Sequence, residues 1–374
     1  MSSTGSDRPI SEVIKAVEAM ELIHSADLSP QGTLVAVSVS RIEGDAEHRD
    51  LWLRDVDQPG ASPRSLKFGN CDHTPSFSPD GSRLAFLSQD GPVVRLVLAW
   101  LDGSPDTGFE VLTDPDAPGR SVAGSPVWSP DGRRIAYAAM SLGRPSGVPY
   151  RITRVIGWAD GIGLVDDATS DIYVYDLESR THTRLTDDDW VNSQPTWLTP
   201  VARSRPDGTP GVAAGPARIV FRAALGPQEW RPSTAAVRSV DADGVDATVT
   251  EHLRTDDVFS LAVTPDGRIA VTSSGTRQRS LGRLFILDSA DAAAEGLGTA
   301  DGFGTADGFG TPDGLGAADP VDRTAGFDLD VNGDVLGDIA IPFMDPHPRL
   351  LLHGGDALVR AQVEDRLEVH RLES

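Results

Sequence analysis

The sequence predicts an all-β protein of the propeller class, with about six blade-like units, the last one incomplete, and a short N-terminal helix. Two recurring patterns carry that prediction. The first is a turn feeding a strand, written four times: Leu28-Ser-Pro-Gln-Gly-Thr-Leu-Val-Ala-Val37, Phe77-Ser-Pro-Asp-Gly-Ser-Arg-Leu-Ala-Phe86, Trp128-Ser-Pro-Asp-Gly-Arg-Arg-Ile-Ala-Tyr137 and the shorter Val263-Thr-Pro-Asp-Gly-Arg-Ile-Ala-Val271. Ser29, Ser78 and Ser129 stand 49 and 51 residues apart, a period that suits one four-stranded blade with a generous loop. The second is a strand that ends on aspartate: Asp50–Asp55, Arg95–Asp102, Asp171–Asp176 and Arg283–Asp288.

The turn has a mechanical basis. Proline presets φ at the second turn position, aspartate bonds to nearby backbone, and glycine accepts positive φ without steric cost. The apolar run that follows, such as Leu84-Ala85-Phe86, suits a buried strand. The aromatic ahead of the turn is placed to pack on a neighbouring blade. Unrelated hairpins would share the turn but not its flanks and spacing. In the second pattern, alternation marks half-buried strands and the aspartate opens the next turn. Two of these units close on a Leu-Thr ending, at Leu112-Thr113 and Leu185-Thr186.

Along the chain, residues 1–24 read as a tail and helix. Ile10, Val13, Ile14, Val17 and Met20 have helical spacing over 10–23. The propeller occupies 25–374. Its units run over about 26–68, 74–113 and 124–186, then from Gln194-Pro-Thr-Trp197, from about Phe259, and over 348–374. The third unit carries an insertion from Tyr150 to Gly163. Flexible insertions are expected at about 199–217, rich in Pro, Gly and Ala, and at about 290–325. In the latter, Gly298-Thr-Ala-Asp-Gly-Phe303 recurs at 304–309 and, altered, at 310–315. Three short copies are too few for a β-helix, and Gly/Asp-rich tracts cannot bury a core. The final unit reads as a hairpin about Glu364-Asp365. Ending there leaves an open strand edge, so either the closure is unusual or the chain is expected to be part of something longer.

The composition narrows function. The chain has 374 residues, a formal charge of −23 and one cysteine, Cys71. So acidic a surface disfavours nucleic acid and anionic membrane as partners. A lone cysteine makes neither an internal disulfide nor a cysteine zinc site. With no secretory leader pattern or apolar span, the expected compartment is the cytoplasm. No cofactor is expected.

Catalytic motifs are sparse. Neither lysine, Lys15 or Lys67, follows a glycine, so there is no P-loop. Gly161-Ile-Gly163 meets Asp166 where a dinucleotide motif needs glycine. Asp328-Leu-Asp-Val-Asn-Gly333 starts like a calcium loop, but Ile339 replaces the bidentate acid; a hairpin turn about Asn332-Gly333 is the simpler account. His347 and His353 read as surface or turn residues. Gly119-Arg-Ser121-Val-Ala123 is the nearest approach to a nucleophile elbow, without the strand and helix that one needs. Asp187-Asp188-Asp189-Trp190 reads as a solvated loop that could face a charged partner. No catalytic, cofactor-binding or metal-ligating residue is assigned. A sialidase-like reading fails, because the Ser-x-Asp-x-Gly-x-x-Trp box is missing.

Together, the Ser-Pro-Asp-Gly-x-Arg-Ile-Ala-Tyr unit, the run Asp171–Thr186 and the segments Arg151-Ile-Thr-Arg154 and Asp160-Gly-Ile-Gly163 resemble the N-terminal propeller of the prolyl oligopeptidase (S9) family. The similarity is to its acylaminoacyl-peptidase or dipeptidyl-aminopeptidase-like subgroup, over residues 25–374. TolB-like propellers share the turn alone. The resemblance implies a module that gates access of short peptides to a separate serine-hydrolase domain. That domain is missing here, so no triad residue carries over and the chain alone is expected to be catalytically incompetent. The partner implied is peptide substrate, if joined to a hydrolase domain. The alternative is a free-standing TolB-like or WD40-like propeller that binds a protein.

Overall fold

The computed structural model describes residues 21–43, 46–91, 93–101, 108–113, 120–141, 158–159, 163–164, 169–198, 217–225, 234–244, 248–255, 257–264, 267–275, 283–287, 321–322, 351–353, 356–363 and 366–372. Among them every regular element is a strand. The chain divides into two compact units, Met1–Gly132 and Arg133–Ser374, with the boundary inside the third repeat.

In the first unit, β1 (Leu22–Leu28), β2 (Leu34–Glu43), β3 (Ala46–Asp55) and β4 (Arg64–Leu66) form a four-stranded antiparallel meander. A second meander joins β5 (Asp72–Phe77), β6 (Arg83–Asp90), β7 (Val93–Trp100) and β8 (Phe109–Val111). Strand β9 (Arg120–Trp128) completes this unit.

In the second unit, β10 (Arg134–Ser141) is followed by the small hairpin β11 (Trp158–Ala159) and β12 (Gly163–Leu164). Strand β13 (Ser170–Asp176) pairs with β10 on one side and β14 (Thr181–Arg184) on the other. It also touches β15 (Val191–Leu198) through one parallel bridge, Ser170 to Val191. β15, β16 (Arg218–Leu225), β17 (Thr234–Asp241) and β18 (Thr250–Thr255) form the next meander. β19 (Asp257–Val263), β20 (Ile269–Gly275), β21 (Arg283–Leu287) and β22 (Val321–Asp322) form another. Three strands close the sequence: β23 (Leu351–His353), β24 (Asp356–Val363) and β25 (Arg366–Leu372). In the last pair Val363 stands opposite Arg366, on either side of the two residues about which the sequence centres the hairpin.

The repeated turn is built as its residues require. Gly32, Gly81, Gly132 and Gly267 have φ of 73°, 73°, 68° and 79°. Each donates its N–H to the carbonyl of the Ser or Thr three residues earlier, at 2.8–2.9 Å. The hydroxyls of Ser29, Ser78 and Thr264 accept the N–H of Leu34, Arg83 and Arg268 across the turn. Asp80 accepts from the Ser78 hydroxyl and the Ser82 N–H, and these bonds hold its carboxyl down at about 2.

In the second and third repeats the second strand is buried on both faces, whereas β2 of the first buries only Ala36 and Ser38. Leu84, Ala85, Phe86 and Leu87 are all core, as are Ile135 through Ala139. That explains why these runs are apolar rather than alternating. The Leu-Thr endings extend the ladder by one side-chain rung. Leu112 and Leu185 donate to the carbonyls of Leu96 and Ile172. The hydroxyls of Thr113 and Thr186 accept the N–H of the same two residues, each at 3.0 Å.

The aromatics ahead of the turns do pack on the neighbouring repeat. The Arg83 guanidinium lies 4.9 Å from the Trp128 ring centre, and Arg134 lies at the same distance from Trp197. Trp128 also donates Nε1–H to the carbonyl of Ser76. The corresponding contact one repeat earlier is apolar, with Leu34 beside Phe77 in one core cluster.

One expectation changes, and two insertions gain detail. Leu22 and Ile23, assigned to the end of the helix, begin β1, paired with Ser40 and Val39; residues 10–20 lie outside the described residues. The 290–325 insertion contains β22, paired with Phe285 and Ile286. The 150–163 insertion contributes the β11–β12 hairpin. The 199–217 insertion, apart from Ala217, and the Asp328–Gly333 segment lie outside the described residues.

Candidate functional site

Polar groups of the first unit converge where its inner strands begin. Strand β3 is charged in its first half, Glu47-His48-Arg49-Asp50, and apolar in its second, Leu51-Trp52-Leu53, so one end of the sheet is polar. Buried Arg49 donates from Nε and Nη2 to both Glu47 oxygens, at 2.9 and 3.0 Å, and from Nη1 to His24 Nε2 at 2.9 Å. Because Arg49 only donates, His24 accepts there and carries its proton on Nδ1. The His24 ring lies 5.6 Å from that of His73 on β5. His73 is buried, with Nδ1 at 2.8 Å from Thr74 Oγ1 and Nε2 without a partner. Beside this cluster Arg41 pairs with Asp50 and Glu43.

A bulge in β5 makes the arrangement possible. The register shifts between His73 and Ser76, and Thr74 sits at φ 55°. That conformation costs a β-branched residue about 1–2 kcal/mol. It is held by the Thr74 N–H donating to Ser25 Oγ of β1. Buried Asp72 fastens the incoming loop, its Oδ2 accepting from Phe68 and Gly69 N–H. Strand β15 repeats the device: Gln194 has φ 52° at a register shift, and Asn192 bonds Thr186 and Asp188.

Burial and Arg49 set the electrostatics of the first cluster. Burial, with help from Arg49 and His24, drives His73 down to about 3. Burial and Arg49 also lower His24. Hydrogen bonding to Arg49 keeps Glu47 below the usual carboxylate range. Burial pushes the Cys71 thiol up, away from the thiolate that reactivity needs. Neutral imidazoles and a thiol offer no base or nucleophile poised near neutral pH. Among the described residues, no group of three or more His, Cys, Asp or Glu is placed to hold a metal ion.

The acidic tripeptide of the second unit is more ordered than its sequence suggests. Asp187 pairs with Arg184 at 2.5 Å. Asp188 accepts from Trp190 N–H and Asn192 Nδ2 and faces Arg238 at 3.4 Å. Arg238 lies 3.9 Å from the Trp190 ring centre and 3.1 Å from Glu251, which also takes Arg254. This ion-pair and cation–π ladder was not legible in sequence: Arg238, Glu251 and Arg254 come from strands 50 to 66 residues beyond Asp188.

Ser121 is 4% exposed, and its hydroxyl accepts the Val94 N–H at 2.9 Å. His347 lies outside the described residues, and His353 ends β23. Among the described residues, no helix is long and apolar enough to cross a membrane.

No family model matches the chain. Its fold is that of a β-propeller, by likeness to solved structures. The acylaminoacyl peptidase of Pyrococcus horikoshii, in an orthorhombic crystal form, superposes with a TM-score of 0.61 at 10% identity, over 95% of this chain and 45% of that one. The uncomplexed structure of that enzyme gives 0.60 at 11% identity, over 96% and 45%. The β-propeller domain of the trilobed protease from Pyrococcus furiosus gives 0.51 at 12% identity, over 94% and 82%. The chain therefore spans under half the length of the acylaminoacyl peptidases it resembles. At these identities the likeness is one of fold.

Proposed function

We propose that this chain is the substrate-access propeller of an S9-type serine peptidase acting on short peptides, and that alone it does not cleave them. The observation that carries this reading is the span of the likeness: nearly the whole chain superposes, on less than half of a peptidase. The physical role is steric. A propeller set over a hydrolase domain admits short, unstructured peptides and excludes folded proteins. The buried, hydrogen-bonded Ser121 and the protonated Cys71 thiol support inactivity in isolation. The same reading puts the protein in the cytoplasm, where a single unpaired thiol is kept reduced.

Intact mass of the native product tests the proposal, read with a fluorophosphonate probe that labels activated serines. A native protein near twice 39.6 kDa that takes the label, while the isolated 374-residue chain does not, is the expected result. Labelling of the isolated chain would overturn its inactivity. A native product of 39.6 kDa would overturn the gating role in favour of a free-standing binding propeller.

A further inference from the structure

Three basic side chains meet where the first meander joins the second: His24 of β1, Arg49 of β3 and His73 of β5. Arg49 Nη1 donates to His24 Nε2 at 2.9 Å, and the two imidazole rings lie 5.6 Å apart. The same junction carries bonds from Thr74 N–H to Ser25 Oγ at 2.9 Å, from Phe77 N–H to Asp27 Oδ2 at 2.7 Å and from the Ser38 hydroxyl to the Asp72 carbonyl at 2.9 Å. Half-buried Cys71, the one cysteine of the chain, is bridged to Arg49 through the backbone.

The charge around these rings is one-sided. Arg49 acts on both histidines, and Glu47, which takes the rest of the guanidinium, acts on His24. Among the described side chains, the other charged groups of the strands packed here are engaged with one another or with backbone. Arg41 of β2 pairs with Glu43 and with Asp50 of β3, and His48 stands 3.9 Å from Glu43. Asp72 of β5 accepts from Phe68 and Gly69 N–H, Asp27 of β1 accepts from Phe77, and Arg83 of β6 lies on Trp128. Arginine has no acceptor, so its bond to His24 requires an unprotonated Nε2. A proton there turns the bond into two facing cations, and a proton on buried His73 adds a third against the single carboxylate of Glu47. Separation of the strands relieves this, because each imidazole then regains its ordinary affinity for protons.

We propose that His24, Arg49 and His73 form a pH-operated latch that holds the first meander to the second near neutral pH and releases it in mild acid. It is independent of the peptidase reading.

Cys71 is a built-in reporter of the junction. The test is the rate at which 4,4′-dithiodipyridine labels the full chain between pH 7 and 5, divided at each pH by the rate for free glutathione, with far-UV circular dichroism recorded alongside. The range stays above the isoelectric point of about 4.6. The latch closes fully above about 6.5 and opens as pH falls, so the relative rate should rise at least about tenfold by pH 5 while the dichroism stays native. His24→Gln keeps an acceptor for Arg49 but takes no proton, and should flatten the rise. His73→Gln should do the same, and serves alone if the first variant does not fold. A relative rate that stays level from pH 7 to 5 overturns the proposal. So does a rise that both folded variants retain in full, or one that appears only together with loss of the native dichroism, which is global unfolding.

Discussion

At the residue scale, single side chains stand in for backbone. Thr186 accepts the buried Ile172 N–H and also bonds Asn192 and Asp171. Thr186→Val keeps the shape but orphans these groups, so a loss of about 1–3 kcal/mol is expected, read from chemical denaturation. His73 and His252 make a pH prediction. Burial holds both neutral, near 3 and near 4, against an ordinary value of 6.5. The unfolded chain therefore binds protons that the folded chain refuses. Their contribution to stability is fully present above about 6.5 and falls as pH drops toward 4, by up to about 1.4 kcal/mol per pH unit for each histidine. Denaturation midpoints between pH 7 and 4.5 should show the decline, with a shallower slope in His73→Gln. The Leu-Thr motif was visible in sequence because it repeats. His73 and Arg49 were not, since a lone histidine or arginine shows nothing of its burial until distant strands surround it.

At the element scale, each repeat is locked to the next by one recurring contact: a residue opening the second strand covers the aromatic ahead of the next turn. Arg83 on Trp128 and Arg134 on Trp197 are the cationic versions. Arg83→Ala should cost about 0.5–2 kcal/mol. Trp128→Ala, which also loses the bond to Ser76, should cost about 3–5 kcal/mol; thermal melts of both variants check the order. The aromatics were legible as packing residues, because they stand at fixed offsets from the turn. Their arginine partners were not singled out, since an arginine after Asp-Gly reads as a solvated turn residue. The same limit applies at the N-terminus, where Leu22 and Ile23 continue a helical spacing but pair with β2. Strand pairing across seventeen intervening residues overrode a local period.

At the scale of the whole molecule, charge is the term that no single contact expresses. A net −23 repels itself in the compact state. Adding sodium chloride to about 1 M, where screening acts over about 3 Å, should raise the thermal midpoint. A flat or falling response would show that the ion pairs around Arg49 and Arg238 outweigh the long-range repulsion.

Repeat number, strand order within each meander, turn geometry and the last hairpin were written in the chain, because each depends on residues close in sequence and is stated several times over. Tertiary structure alone decided which polar groups became buried, which arginines found carboxylates, and that Ser121 is buried while Cys71 is half-buried. Burial and pairing join residues tens of positions apart, and the energy of a charge depends on that surrounding rather than on its neighbours in sequence.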